Sequence, residues 1–281
     1  MSKTILITGT SSGFGYLTAK TLAKDGHKVY ATMRGSEGKN SEKAKELSAV
    51  DNITVLDLDV TDDNSVKEAV NKIIDADGKI DVVVNNAGIG GAGMTEAYTI
   101  EDSKKIFDVN VWGPMRVNRA VLPQMRKQKS GLIIQISSVI GRLTMPFITA
   151  YIASKWAVEA IAECYNSELK PFNIDSVIIE PGAFPTGFFN SMITPSDSKI
   201  LSEYGEYAKA PDQMFEGVAK MFEGDDAPNP QLIADAVKKL VDAEGQRPLR
   251  TVVDPMTNNL IEDLNELSAK KQEEMMKVFE G

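Results

Sequence analysis

Cysteine and histidine are nearly missing from this chain, with one of each in 281 residues. With Cys164 alone, no internal disulfide can form, and a reducing compartment is the natural setting. Its helical surroundings, Ala162 and Tyr165, mark it as a small core filler rather than a nucleophile. With His27 alone, histidine-based triads and most zinc catalysis are excluded, and no metal is expected. His27 falls in the turn before the second apolar run and reads as a surface residue. Positive charge is also in short supply, and a net charge of −9 argues against a nucleic-acid partner, since phosphate binding needs clustered lysine and arginine. No apolar run is long enough to cross a bilayer, and no basic-then-apolar leader precedes the first strand. These absences lead us to expect a soluble, cytoplasmic protein. No repeat, low-complexity tract or linker divides the sequence, so one domain is expected over 1–281.

What is present suits a large α/β core, with 42% hydrophobic and 25% charged residues. Apolar runs suggest strands at 3–8, 27–32, 53–57, 80–84, 132–137, 174–179 and 250–253, with helical patterns between them. That alternation predicts a doubly wound, Rossmann-type parallel sheet with helices on both faces and ligands at the carboxyl ends of its strands. The first strand runs into Gly9-Thr10-Ser11-Ser12-Gly13-Phe14-Gly15, and an amphipathic segment, Tyr16 to Lys24, follows. Gly9 permits a tight turn, Gly13 lets backbone amides approach a pyrophosphate, and Gly15 allows close helix–strand packing. The helix amino terminus then offers unpaired N–H groups and a positive dipole end to phosphates. A second glycine-rich stretch, Gly88 to Gly93, reads as a flexible turn lining the same cleft.

Tyr151 and Lys155 stand four residues apart, thirteen residues after Ser138. On a helix they share one face. A phenol ionises near ~10, and a neighbouring cation favours its anion, so the pair can act as acid and base near neutrality. Ser137 and Ser138 are adjacent, and on a strand only one of them can point at the cleft.

In order along the chain come the glycine turn, Asp59-Val60, Asn85-Asn86-Ala87-Gly88, Asn110, Ser138, Tyr151 with Lys155, and Pro181-Gly182 with Thr186. Over residues 3–190 this succession resembles the short-chain dehydrogenase/reductase family. Val29 to Arg34 and Glu180 to Thr186 resemble its steroid- and retinol-dehydrogenase branch. The resemblance implies catalytic roles for Asn110, Ser138, Tyr151 and Lys155. Tyr151 would exchange a proton with the substrate oxygen, and Lys155 would lower the phenol pKa and bind the nicotinamide ribose. Ser138 would hold the substrate oxygen, and Asn110 would anchor a water linking Lys155 to solvent. A cofactor site would comprise Gly9, Ser11, Ser12, Gly13, Phe14, Gly15, Arg34, Asp59, Val60, Asn86, Ala87, Gly88, Tyr151, Lys155, Pro181, Gly182 and Thr186. Within it Asp59 would meet the adenine amine and Thr186 the carboxamide.

At the end of the second strand, where NAD-preferring enzymes place an acid, Met33 stands, followed by Arg34. An arginine fork suits a 2′-phosphate that a carboxylate would repel, so NADP(H) is the expected cofactor, with NAD as the lesser option. Apolar residues between Ser138 and Tyr151 suggest a lipophilic carbonyl or alcohol substrate, held by Ser138, Val139, Leu143, Met145, Tyr151 and Phe188. Arg142 is a candidate contact for a polar tail. Residues 187–228 read as a substrate lid, and 229–281 as terminal helices with the last strand. Apolar faces on helices expected at 101–127 and 151–170, with Trp112 and Trp156, suggest a homodimer or homotetramer. The competing readings are an epimerase or dehydratase of the extended branch, and a cofactor-binding regulator without turnover. Glycine spacing and length oppose the first, and the full Asn110, Ser138, Tyr151, Lys155 set opposes the second.

Overall fold

Seven parallel strands form one sheet: β1 (Thr4–Thr8), β2 (Lys28–Met33), β3 (Ile53–Asp57), β4 (Val82–Asn85), β5 (Gly131–Ile136), β6 (Ile174–Pro181) and β7 (Arg250–Val253). Their spatial order is β3-β2-β1-β4-β5-β6-β7. The computed structural model describes residues 1–224, 227–257 and 259–280. Every strand lies within two residues of its sequence expectation. Buried on both faces, the central strands are near-continuous apolar runs.

Helices cover the two faces. In chain order they are α1 (Gly13–Lys24), α2 (Ser41–Ser48), α3 (Asp63–Asp77), α4 (Ile100–Phe107), α5 (Gly113–Gln128), α6 (Thr149–Leu169), α7 (Ser198–Glu203), α8 (Ala210–Lys220), α9 (Gln231–Asp242) and α10 (Glu262–Glu280). Ile5 and Ile7 of β1 point into a core with Leu22 of α1, Leu47 of α2 and Val237 of α9. Leu6, between them, points into a second core with Val70 of α3 and Val117 and Val121 of α5. Local caps fix the helix starts. Asp62 accepts from the Asn64 and Ser65 amides ahead of α3, and Thr99 with Asp102 forms a capping box on α4. The chain crosses outward in both directions from β1 and β4, which opens a crevice above their carboxyl ends.

Three expectations change. The helix expected at 101–127 is two helices, α4 and α5, joined by a π-helical turn over Asp108–Trp112 that contains Asn110. His27 is buried, not a surface residue: Nδ1 accepts from the Lys3 amide at 3.2 Å and Nε2 lies 3.2 Å from Asp242. Cys164 is exposed, because the buried stripe of α6 passes through Val158, Ala162 and Leu169 instead. Residues 225 and 226 of the segment 187–228, and 258 and 281 of the segment 229–281, lie outside the described residues.

Candidate active site

The crevice is a cleft of about 790 Å³ lined from the ends of all seven strands. At its floor, Gly9 adopts φ +70°, and a Cβ there would stand 2.8 Å from the Ala87 Cα. No other residue type tolerates both conditions. The Asn86 side-chain amide donates to the Thr8 and Gly9 carbonyls at 2.9 Å each, and Thr8 Oγ1 accepts from the Asn86 and Ala87 amides. Asn86 therefore locks the glycine turn, although it also reaches the cleft wall. Gly15 is not part of the lining. Its missing Cβ makes room for Asn86 and the Gly9 carbonyl, so its packing is against the turn rather than a strand.

Ser12 precedes α1 in an extended conformation and makes no side-chain cap. The first-turn amides of α1 thus keep their positive end toward the cleft, with Ser11, Ser12, Gly13 and Phe14 all on its wall. Opposite them, Thr186 is the nearest neighbour of Gly13 across the opening. Phe14 packs edge-on against Phe184 at 5.5 Å, anchoring the helix start. Asp59, Val60, Ala87, Gly88, Pro181 and Gly182 complete this half. At its mouth Arg34 lies 3.6 Å from Asp59 Oδ2 and is half exposed. Burial opposes the Asp59 charge, but hydrogen bonds from the Thr61 amide and hydroxyl, with Arg34, hold its carboxyl below the ordinary range.

The other half of the cleft brings Ser138, Tyr151 and Lys155 together. Lys155 is buried, its Nζ donating to the Ile136 carbonyl at 2.8 Å and lying 5.6 Å from the Tyr151 ring centre. Burial pulls its pKa down to about 8, with Glu159 pulling the other way. Here the structure departs from the sequence expectation. Burial pushes the Tyr151 phenol above its ordinary value, and the opposing influence is a hydrogen bond with Ser138, because the ammonium is turned to Ile136. Asn110 adjoins the cleft without lining it. Its Oδ1 accepts from the Ile89 amide at 2.8 Å, and its Nδ2 donates to the Ile89 carbonyl and to Ser154 Oγ. Ser154 donates on to the Tyr151 carbonyl at 2.7 Å. The Asn110 side chain thus stitches the Gly88 loop to α6 beneath Tyr151.

Of the expected substrate contacts, Val139, Met145 and Phe188 line the cleft, and the Phe188 ring packs tilted at 50° with its centre 5.2 Å from that of Tyr151. Leu143 does not line it and is exposed, because the short turn at Val139–Gly141 carries the chain away before Met145 returns. Arg142 is likewise absent from the lining. The Gly88–Gly93 stretch is tightly packed: Gly90 fits against Phe188 and Met192, Gly91 against Ile106 and Tyr98, and Gly93 against Pro195. Sequence reading missed Ile89, Ile148, Phe184, Val218 and Met221 on the wall. Their signal was only apolar character near a motif, which core residues share.

A family model described as short chain dehydrogenase matches residues 3–196. The chain is 37% identical over 258 residues to a 3-ketodihydrosphingosine reductase of Bacteroides thetaiotaomicron, covering 91% of this chain and 89% of the relative. It is 34% identical to retinol dehydrogenase 8 of Bos taurus, covering 88% and 80%. A short-chain dehydrogenase from Streptomyces avermitilis superposes with a TM-score of 0.78 at 31% identity, covering 100% and 99%. An alcohol dehydrogenase from Thermococcus sibiricus, solved with 5-hydroxy-NADP, gives 0.70 at 26% identity, covering 90% and 96%.

Proposed function

The chain belongs to the short-chain dehydrogenase family of NAD(P)-dependent oxidoreductases, and we propose that it uses NADP(H) on the carbonyl or secondary alcohol of a lipophilic substrate. The observation that carries this reading is Tyr151, Ser138 and Lys155 meeting in a largely apolar cleft beside an uncapped helix terminus. The residues fit a dinucleotide. Gly9 and Gly13 leave room where side chains would intrude, and the amides at the start of α1 suit a pyrophosphate. When bound, the nicotinamide supplies or accepts the hydride. In reduction Tyr151 gives its proton to the substrate oxygen, and in oxidation it takes the proton back. Ser138 orients that oxygen and stabilises the charge developing on it. Lys155 places a positive charge 5.6 Å from the Tyr151 ring centre, where it would hold the coenzyme ribose and favour the negative charge that develops at the phenol as its proton leaves. Asn110 positions the Gly88 loop and the Tyr151 turn from below.

Two features support NADP(H). No acid stands at the end of β2, where Met33 is buried, and Arg34 with Lys39 borders the adjoining rim. Phe188, Phe189, Met192, Phe215 and Met221 support a lipophilic substrate, since all five line the cleft. We assign 187–228 as the substrate lid, docked by pairing of Ile193 with Gly90 and Ala92, and 229–281 as the closing terminal unit. The test is consumption of NADPH with a panel of long-chain ketones, aldehydes and oxidised ring alcohols. Turnover favouring the lipophilic members supports the reading, and binding without turnover overturns it.

Trp112, Met115 and Trp156 are exposed on α5, α6 and the turn before α5, and a groove of about 900 Å³ runs past Trp112, Met115 and Tyr165. Exposed large apolar groups in one region suit a partner surface, and we assign it to a second copy of this chain. Light scattering is expected to give at least twice the mass of 30.6 kDa; a monomer at micromolar concentration removes the assignment. Among the described residues no helix is long and apolar enough to cross a membrane.

A further inference from the structure

Three successive residues at the end of β5 meet three successive turns of α6. Ser138 faces Tyr151, the Ile136 carbonyl accepts from Lys155, and Ser137 faces Glu159. Tyr151, Lys155 and Glu159 are spaced by four and share one face of the helix. The family reading uses the first two and leaves Glu159 without a task.

Glu159 is only 2% exposed. Its Oε2 accepts from Arg250 Nε of β7 at 3.0 Å. The same guanidinium pairs with Glu163, one turn further along α6, and lies 3.4 Å from Glu180 Oε1 of β6. Asn265 of α10 donates to the other Glu180 oxygen at 2.6 Å. Arg142, after β5, is a second cation acting on both Glu159 and Glu180. Three carboxylates therefore crowd two guanidinium groups in the interior. Among the described residues, Ser137 Oγ, Arg142 Nε, Glu159 Oε1 and Glu180 Oε1 have no hydrogen-bond partner by distance and angle. A buried ionic cluster with unmet polar atoms stabilises a fold no better than packed apolar side chains of equal volume. Its placement one helical turn below the Lys155 ammonium is the more informative property.

We propose that Glu159 is a positioning residue for the reaction, acting through Lys155: its buried negative charge keeps that ammonium charged at the foot of the cleft. The inference rests on the oxidoreductase reading given above. Lys155 needs such help, because burial favours its neutral form and Glu159 is the group that opposes this. The charged groups facing Glu159 are Lys155 and Glu163 on its own helix, Arg250 on β7, Glu180 on β6, and Arg142. Burial first, then the Glu159 charge, pushes the Glu180 carboxyl up to about 7. Burial raises the Glu159 carboxyl above its ordinary range as well, and Ser137, the Arg250 guanidinium 3.0 Å away and Arg142 oppose that rise and favour its charged form.

The sign of the effect follows. Carbonyl reduction needs a protonated phenol and a charged ammonium together. Removing a nearby buried anion makes loss of a proton from that pair easier, so reduction fails at lower pH. The experiment is the pH profile of kcat/KM for carbonyl reduction in the wild-type protein, E159Q and E163Q, with thermal midpoints for each. Both variants remove one Arg250 partner, but Glu163 is two turns from Lys155. E159Q is expected to move the alkaline limb down by about one pH unit, lowering kcat more than it raises KM. E163Q is expected to lose thermal stability while its limb stays in place. An unmoved limb in E159Q, or an equal shift in E163Q, overturns the proposal. Should E159Q not fold, E159D withdraws the charge by one methylene and is expected to shift the limb in the same direction by less; no shift overturns it equally. A wild-type protein inactive on every carbonyl with either coenzyme sinks the oxidoreductase reading before the variants are compared.

Discussion

Replacing Tyr151 by phenylalanine is expected to lower turnover on the order of a thousandfold, the scale of a lost general acid/base. Coenzyme affinity should stay nearly unchanged. The phenol is the one group in the cleft that combines a proton to give with a neighbouring buried ammonium and a serine hydroxyl. Its ring also packs against Phe188, a contact that phenylalanine preserves, so the loss would report chemistry rather than packing. The glycine turn that we assign to the coenzyme is held by Thr8, Asn86 and Ala87, none of which touches the phenol oxygen. Activity within tenfold of wild type, measured as NADPH consumption alongside a coenzyme titration, removes Tyr151 from the acid/base role.

Arg34→Asp carries the second large effect. The ratio of kcat/KM for NADPH over NADH is expected to fall on the order of a hundredfold, with NADH becoming the better coenzyme. Arg34 reaches the mouth of the cleft from the end of β2 and pairs loosely with Asp59 at 3.6 Å. An aspartate there sets two carboxylates side by side, hostile to a 2′-phosphate and suited to free ribose hydroxyls. Because the Arg34–Asp59 pair is half exposed, its loss should cost well under about 1 kcal/mol of stability. Melting temperature therefore serves as the control. Unaltered selection between the two coenzymes shows that Arg34 is only a surface charge.

Much of the fold was legible because the strands of a doubly covered sheet are buried on both faces, which leaves short apolar runs such as Val82–Asn85 standing out. The glycine turn was legible because Gly9 meets a steric demand that one residue type satisfies. The break at Asp108–Trp112 was not, although Gly113-Pro114 directly follows it: the apolar pattern runs through the π turn, and Pro114 sits in the first turn of α5, where a helix tolerates it. His27 misled because a turn residue is ordinarily wet, whereas this one is covered by Asp242 from α9, more than two hundred positions away. Leu143 misled because proximity in sequence to Ser138 says nothing of direction after a tight turn. The acid cluster around Arg250 was invisible for the same reason: Glu159, Glu163 and Glu180 meet only once β7 lies beside β6. One hint did exist, an acid spaced four residues beyond Lys155 on a face that must be buried.

The account depends on hydride reaching the carbonyl carbon while the Tyr151 proton reaches its oxygen. Incubation with a long-chain ketone and NADPH deuterated at nicotinamide C4 tests this directly. One deuterium on the carbinol carbon of the product, transferred from a single face of the coenzyme and lost in the Tyr151→Phe variant, is the predicted result. Stoichiometric coenzyme binding with no deuterated alcohol from any lipophilic carbonyl would contradict it.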